Sequence, residues 1–145
     1  MRAVCQRVSE ARVKVDDAIV GEIAAGLFVL LGVARGDTVA DADRLAAKVS
    51  RLRIFEGDTG HFHLSLLDVG GAVLVVSQFT LIADIRKGNR PSLTEAAPPN
   101  EANALYERFC DRLAVKDVHV ERGVFGARMA VELVNQGPVT IVLDT

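Results

Sequence analysis

The sequence predicts an α/β protein, a single domain over residues 1–145 with mixed and antiparallel β-sheets and two main helices. Apolar runs typical of β-strands occur in the first third, in the middle and at the end of the chain. Two segments between these runs carry apolar side chains at helical spacing. The length of 145 residues, with 50% hydrophobic and 25% charged residues, suits one soluble domain with a single sizeable core.

The first part of the chain predicts a sheet. Period-two alternation of apolar and polar residues indicates two strands, and a turn at Asp16-Asp17 precedes a third. A continuous apolar run then indicates a fourth strand that is buried on both faces. These predicted strands cover residues 2–8, 11–15, 19–23 and 27–34.

The two helices are predicted from the three- to four-residue spacing of their apolar positions. The first covers residues 41–55, with Asp37 or Thr38 as its N-cap and Gly57 beyond its end. The second covers residues 101–113 and follows a long loop, residues 86–99, that is rich in Gly, Pro and polar residues. The remaining predicted strands cover residues 62–64, 72–79, 117–121, 127–134 and 139–143.

Two short polar segments interrupt the most apolar stretches of the chain: SQFTL at residues 77–81 and NQGPVT at residues 135–140. Burying an unpaired amide or hydroxyl group costs roughly 1–3 kcal/mol, so such segments predict a binding function. If the strand over residues 72–79 continues, Gln78 and Thr80 extend the face begun by its apolar side chains. Pro138 has no N–H to donate, so the backbone there must bend or leave the sheet.

Charge and composition exclude several classes of function. A formal net charge of −2 argues against a protein that coats long stretches of nucleic acid. Two basic clusters, Arg51 with Arg53 and residues 86–90, leave contact with an RNA end open, although such clusters are more often solvated surface. The longest apolar run, residues 23–34, is shorter than the roughly 20 residues of a membrane helix. The N-terminus shows no hydrophobic signal region, and we expect a cytoplasmic protein with no membrane partner.

Motifs of covalent or metal catalysis are missing from the sequence. Thr80 could attack a carbonyl, but a hydroxyl nucleophile needs an adjacent base and none is evident. His61 and His63 would share a strand face, as metal ligands can, but no third ligand accompanies them. Cys5 and Cys110 lie far apart and outside any C-x-x-C pattern, which favours two core side chains. We expect no metal and no cofactor.

Taken together, the two polar segments resemble the signature motifs SQFTL and NxGPxT of the D-aminoacyl-tRNA deacylases. The similarity spans the whole chain and includes residues 6–8, residues 52–55 and the loop at residues 87–92. The chain departs from the family at Phe62-His63, where Met-Asn is frequent, and at Leu93, where Phe is frequent. These departures flank the expected site, so they bear on substrate preference.

The resemblance implies a barrel-like fold, a homodimer and a hydrolase that acts on the 3′ end of tRNA and requires no DNA. Its substrate would be the ester of a D-amino acid, or of glycine mischarged on tRNA-Ala. The ribose 2′-hydroxyl of the tRNA would assist the attack, in place of a protein base. By resemblance, the catalytic pocket comprises Ser77, Gln78, Phe79, whose backbone N–H would bind the oxyanion, and Thr80.

The second motif would select the stereochemistry of the substrate. By resemblance, the Gly137-Pro138 bond is cis and enters the pocket of the partner subunit, where its carbonyls face the substrate ammonium group. The side chain of an L-residue would then collide with this backbone, and Arg7 would orient the partner's Gly-Pro segment. The substrate-binding residues implied in this way are Arg7, Asn135, Gly137, Pro138 and Thr140.

Two other functions compete with this one. A related class of deacylases removes L-alanine from mismatched tRNA-Thr and shares the Gly-Pro motif, but its first motif is PQATL-like, where this chain has Ser77 and Phe79. A dimeric, non-enzymatic module that binds nucleic-acid ends would need only the basic loop at residues 86–90 and a stacking side chain such as Phe79.

Overall fold

The computed structural model describes residues 1–145 and contains eight strands and three helices. Strand β8 carries the second polar motif, and a short 3-10 helix, Phe79–Ile82, contains most of the first. The strands are β1 (Arg2–Val15), β2 (Ala18–Ile23), β3 (Gly26–Gly32), β4 (Phe55–Glu56), β5 (Phe62–Leu64), β6 (Ala72–Ser77), β7 (Val120–Arg122) and β8 (Ala130–Asp144). The helices are α1 (Val39–Arg51), α2 (Leu66–Val69) and α3 (Pro99–Ala114).

Six of the strands form one mixed sheet in the order β2-β1-β3-β6-β7, with β8 paired to the other edge of β1. The pairs that involve β1 are antiparallel, and β3, β6 and β7 are parallel to one another. At Gly21, β2 approaches β7 so closely that an added Cβ atom would lie 2.6 Å from the carbonyl oxygen of Arg122. This approach nearly closes the sheet, and the mixed, barrel-like α/β class is confirmed.

Side chains of the sheet alternate between two hydrophobic clusters. In β3, Leu27 and Val29 join the main core beneath α1 and α3, whereas Phe28 joins a smaller cluster around which the sheet curls. In α3, Phe109 is fully buried against the same main core. Both faces of β3 are therefore covered, as its continuous apolar sequence predicts.

The first two predicted strands are one strand in the structure. β1 runs from Arg2 to Val15 without interruption, although Ser9 and Glu10 are exposed. Its first half pairs with β3 and its second half with β2, while β8 pairs with both halves from the other edge. The predicted break between two strands is wrong. Along one edge of β1 the partner changes from β3 to β2, but β8, which is remote in sequence, pairs with β1 on both sides of that change.

Helix α1 has one of the two predicted N-caps, but it begins two residues earlier and ends four residues earlier than predicted. Thr38 is the N-cap, and its hydroxyl and the side chain of Asp41 form a capping box. The helix ends at Arg51 rather than at residue 55, because the backbone of Leu52 turns to an extended conformation. Helix α3 extends slightly beyond both predicted ends, and α2 and β4 are too short for a periodicity to reveal them.

Both strands around the polar motifs differ from their predictions. β6 ends at Ser77, so the expectation that Gln78 and Thr80 continue a strand face is wrong. The last two predicted strands are one strand, β8, which contains the Gly137-Pro138 step. The predicted bend is present there as an irregularity in the pairing of β8 with β1. No helix is long and apolar enough to span a membrane.

Candidate functional site

A cleft of about 580 Å³ lies at the end of β6. Of the four residues expected in the catalytic pocket, Ser77, Gln78 and Phe79 line this cleft, whereas Thr80 does not. Most of the remaining wall is apolar and comes from the end of β3, the start of α3 and the chain before and within β8. Its lining is suited to a flat organic group held mainly by apolar contact.

The first motif turns sharply at the rim of this cleft. The N–H of Gln78 donates to the carbonyl of Leu31 at 2.8 Å, which ends the sheet pairing, and the 3-10 helix begins at Phe79. An added Cβ at Gly32 would lie 3.0 Å from the Cβ of Leu81, so glycine allows β3 to approach this turn. The ring of Phe79 is 54% exposed, which leaves it available to stack on a ligand.

The side chains of Gln78 and Thr80 contact each other. The amide Nε2 of Gln78 donates to the Thr80 hydroxyl at 2.5 Å. The Thr80 hydroxyl makes no hydrogen bond with a carboxylate or imidazole group that could accept its proton. The geometry therefore supplies no base for covalent attack by Thr80.

The far wall of the cleft was missed by the sequence interpretation. The loop before α3 is held against the end of β3 by backbone hydrogen bonds from Ala97 to Val33 at 3.0 Å and from Arg35 to Glu95 at 2.9 Å. The length and proline content of the loop at residues 86–99 were the only signal for this wall. The lining residues missed in this way include Arg35, Pro98, Pro99, Phe125 and Met129, whereas Leu93 had been placed beside the expected site.

The second motif is a wide bulge in β8. Gln6 pairs with Thr140 and Val8 with Asn135, so residues 136–139 lie opposite the single residue Arg7. The side chain of Asn135 closes the bulge: its Oδ1 accepts from the N–H of Val139 at 2.7 Å and its Nδ2 donates to the Thr140 hydroxyl at 3.1 Å. The Gly137-Pro138 peptide bond is cis, and both residues are exposed at the tip.

Arg7 anchors this bulge from within the same chain. Its Nε donates to the carbonyl of Gln136 at 2.8 Å and its Nη1 to the carbonyl of Ile54, also at 2.8 Å. The guanidinium carbon lies 5.8 Å from the centre of the Phe62 ring, and the residue is only 8% exposed. Arg7 therefore holds the bulge of its own chain through Gln136, and the expectation that it orients the partner's segment stays a prediction.

The two motifs do not share a pocket within one chain. Arg7 and the predicted residues of the second motif form one unit, and none of them lines the cleft that holds the first motif. The bulge instead presents the backbone of Gly137 and Pro138 to the exterior.

The cysteines and histidines take no part in either unit. Burial raises the pKa of the Cys5 and Cys110 thiols to about 12, so both are protonated core side chains, as predicted. His63 lies in β5 with its Nδ1 2.7 Å from the guanidinium group of Arg53, while His61 precedes the strand. The structure contains no cluster of three or more His, Cys, Asp or Glu side chains suited to a metal ion.

The sequence profile described as D-Tyr-tRNA(Tyr) deacylase matches residues 4–144. The chain therefore belongs to the D-Tyr-tRNA(Tyr) deacylase family, which confirms the resemblance found in its sequence.

Curated relatives share this assignment over the full chain. A protein of Anaeromyxobacter dehalogenans (strain 2CP-C) named D-aminoacyl-tRNA deacylase is 61% identical over 145 residues, which cover 100% of this chain and 97% of the relative. A protein of the same name from Kosmotoga olearia (strain ATCC BAA-1733 / DSM 21960 / TBF 19.5.1) is 59% identical with the same coverage.

Two solved structures share the fold. One is titled c-Myc DNA Unwinding Element Binding Protein and superposes with a TM-score of 0.94 at 38% identity, over 100% of this chain and 99% of the other. The second, titled a probable eukaryotic D-amino acid tRNA deacylase, superposes with a TM-score of 0.86 at 20% identity, over 99% and 98% of the two chains.

Proposed function

We propose that this protein hydrolyses the ester between a D-amino acid and the terminal adenosine of tRNA in the cytoplasm, and so removes D-residues before they reach the ribosome. Glycine mischarged on tRNA-Ala is a second substrate. The observation that carries the proposal is the Arg7-anchored Gly137-Pro138 bulge, in a chain whose cleft is formed at the SQFTL turn. Family membership and the names of relatives that are 59–61% identical support the same reaction.

The reaction needs little chemistry from side chains. An aminoacyl ester is already activated, so positioning and stabilisation of the oxyanion supply most of the acceleration. The backbone N–H of Phe79 begins the 3-10 helix, where N–H groups have no acceptor within the helix, and it is our candidate oxyanion donor. The exposed ring of Phe79 stacks on the adenine, and the ribose 2′-hydroxyl assists the attack in place of a protein base.

The backbone of the bulge selects the stereochemistry. The carbonyls of Gly137 and Pro138 accept hydrogen bonds from the substrate ammonium group, while the cleft holds the ester. With these two groups fixed, two positions remain on the substrate Cα. The D- and L-enantiomers differ only in which of these positions holds the side chain and which holds the hydrogen. The side chain of an L-residue would meet the Gly137-Pro138 backbone, whereas glycine has no side chain to collide.

The active site is shared between the two subunits of a homodimer. Within one chain the bulge is exposed, and none of its residues lines the cleft that holds Ser77, Gln78 and Phe79. In the dimer, the bulge of each subunit therefore enters the cleft of its partner, and both subunits contribute to each of two equivalent sites.

Mixing two inactive variants tests the shared site. Phe79→Ala removes the stacking ring from the cleft, and Gly137→Ala places a Cβ atom 2.7 Å from a side-chain methyl of Val139. Each homodimer is expected to lose most of its activity. Random exchange of subunits makes about half of the dimers mixed, each with one intact site, so about a quarter of the wild-type rate returns. If mixing restores no activity although mass spectrometry detects mixed dimers, the proposal of a shared active site is wrong.

A turnover assay tests the reaction itself. One structural relative is named for binding a DNA element, so nucleic-acid binding without hydrolysis is the competing function. With protein at about a hundredth of the concentration of D-tyrosyl-tRNA, an enzyme releases many equivalents of D-tyrosine, and a binding module releases none above the spontaneous rate. Release no faster than from tRNA alone would favour the binding module.

A further inference from the structure

A second concave surface lies at the C-terminal half of α1, and most of its lining residues are cationic. The groove has a volume of about 610 Å³, and Ala47 and Leu52 contribute its apolar part. We call the four cationic lining residues, all of them exposed, the α1 basic patch: Arg44, Lys48, Arg51 and Arg53.

Helical geometry places these charges in a row. Arg44, Lys48 and Arg51 are spaced by four and three residues, so they share one face of α1. With a rise of about 1.5 Å per residue, they extend over roughly 10 Å along the helix axis. The opposite face is buried against the main core through Leu45 and Val49, so the row can only face solvent. A length of this order faces about three phosphates of one nucleic-acid strand.

Most of this charge is not neutralised by the protein. Lys48 and Arg51 make no ion pair, and only Arg44 has a carboxylate partner, Asp41. Arg53 donates to the carbonyl of His63 at 2.6 Å, a neutral acceptor that leaves its charge in place. Cationic side chains near the C-terminus of a helix are stabilised by the unpaired carbonyls of its last turn, which could explain such residues without a ligand. That explanation applies to the last turn and does not cover Arg44 or Arg53, which lie on either side of it.

The α1 basic patch adjoins the residues that hold the Gly-Pro bulge in place. Arg53 precedes Ile54, whose carbonyl accepts from Nη1 of Arg7 at 2.8 Å. The same Arg7 holds the carbonyl of Gln136, the residue before Gly137. A row of cations therefore leads along α1 towards the point where the proposed substrate ester meets the bulge.

We propose that the α1 basic patch binds backbone phosphates of the acceptor end of the tRNA whose aminoacyl ester lies at Gly137-Pro138 of the same chain. This inference rests on the proposed function. The cleft has room for little more than the terminal nucleoside and its ester, so the rest of the strand must leave along the protein surface. A row of separate cations fits a polyanion, because each phosphate contact releases condensed counterions. Such contacts position the tRNA without reading its sequence.

The test compares a long and a short substrate. In the double variant Lys48→Gln with Arg51→Gln, kcat/KM on D-tyrosyl-tRNA is expected to fall at least about tenfold, mainly through KM. The rate on the D-tyrosyl ester of adenosine, which carries no phosphate, is expected to be unchanged. A plot of log kcat/KM against log salt concentration becomes shallower by about 1.4–1.8, the change for two lost phosphate contacts. Lys116→Gln is the matched control, since Lys116 follows α3 and makes no ion pair.

Other results of this experiment would overturn either the role of the α1 basic patch or the proposed function itself. The proposal is overturned if the double variant and Lys116→Gln behave alike on D-tyrosyl-tRNA, or if the double variant loses activity equally on both substrates. If the wild-type protein hydrolyses neither substrate, the proposed function fails, and filter binding of uncharged tRNA tests the patch alone. There, a tenfold weaker Kd for the double variant supports the patch, and equal Kd values reject it.

Discussion

Glycyl-tRNA and D-alanyl-tRNA are expected to be hydrolysed by this protein, while L-alanyl-tRNA is expected to react at least about a thousandfold more slowly. Glycine and L-alanine differ by one methyl group, and ordinary apolar recognition of one such group supplies only about 1–3 kcal/mol. A collision with main-chain atoms that cannot move aside excludes a ligand more strongly. The bulge is held by Arg7 at Gln136 and by Asn135 at Val139, so its backbone cannot yield. The release of labelled amino acid from the three esters of one tRNA measures the contrast.

The spontaneous hydrolysis of each ester is the control for this series, because glycyl and alanyl esters differ in intrinsic lability. Comparable enzymatic rates on glycyl-tRNA and L-alanyl-tRNA would contradict selection by the backbone of Gly137 and Pro138. That outcome would also favour the class of deacylases that removes L-alanine, despite the Ser77 and Phe79 that this chain carries.

Replacing Arg7 by alanine is expected to lower the rate of D-ester hydrolysis at least about a hundredfold and the free energy of unfolding by about 2–4 kcal/mol. The buried guanidinium group donates to two carbonyls that are remote in sequence, those of Ile54 and Gln136. Without these donors the bulge loses its anchor and a buried acceptor loses its partner. Urea unfolding and steady-state kinetics measure the two effects separately.

Arg12 offers a matched control on the same strand. Its guanidinium group pairs with Glu22 and Glu132 at the protein surface, so Arg12→Ala is expected to leave the unfolding midpoint and the kinetics close to wild type. Arg7→Lys keeps the charge but cannot donate to both carbonyls as a planar guanidinium does, and its rate should lie near that of Arg7→Ala. A folded Arg7→Ala protein with wild-type kinetics would show that the bulge needs no anchor.

Local rules account for the parts of the fold that the sequence predicted well. The continuous apolar runs of β3 and β6 and the N-cap at Thr38 depend on residues close together in the chain. The continuity of β1 depends instead on β8, more than a hundred residues away, and no local pattern could reveal it. β6 ends at Ser77 because the chain then turns into a 3-10 helix, where the carbonyl of Gln78 accepts from the N–H of Leu81 instead of from a neighbouring strand.

The candidate site shows the same division. The polar residues of both motifs stood out because they interrupt apolar runs, and the bend at Pro138 follows from its missing N–H. The role of Arg7 could not be derived in this way, since its two acceptors lie 47 and 129 residues further along the chain. The far wall of the cleft was also missed, because Phe125 and Met129 carry no local signal apart from being apolar.

Under the proposed function, the anchoring of the bulge bears on how mutations affect the removal of D-residues from tRNA. Its conformation depends on two side chains, Arg7 and Asn135, and on Gly137 with its φ of +143°. The surface it presents is main chain, which most substitutions leave unchanged. The side chain of Gln136 makes no hydrogen bond, although its carbonyl is the one that Arg7 holds. Under the proposed function, few codons in this gene can therefore alter which enantiomer is removed, and most random substitutions leave the selection unchanged.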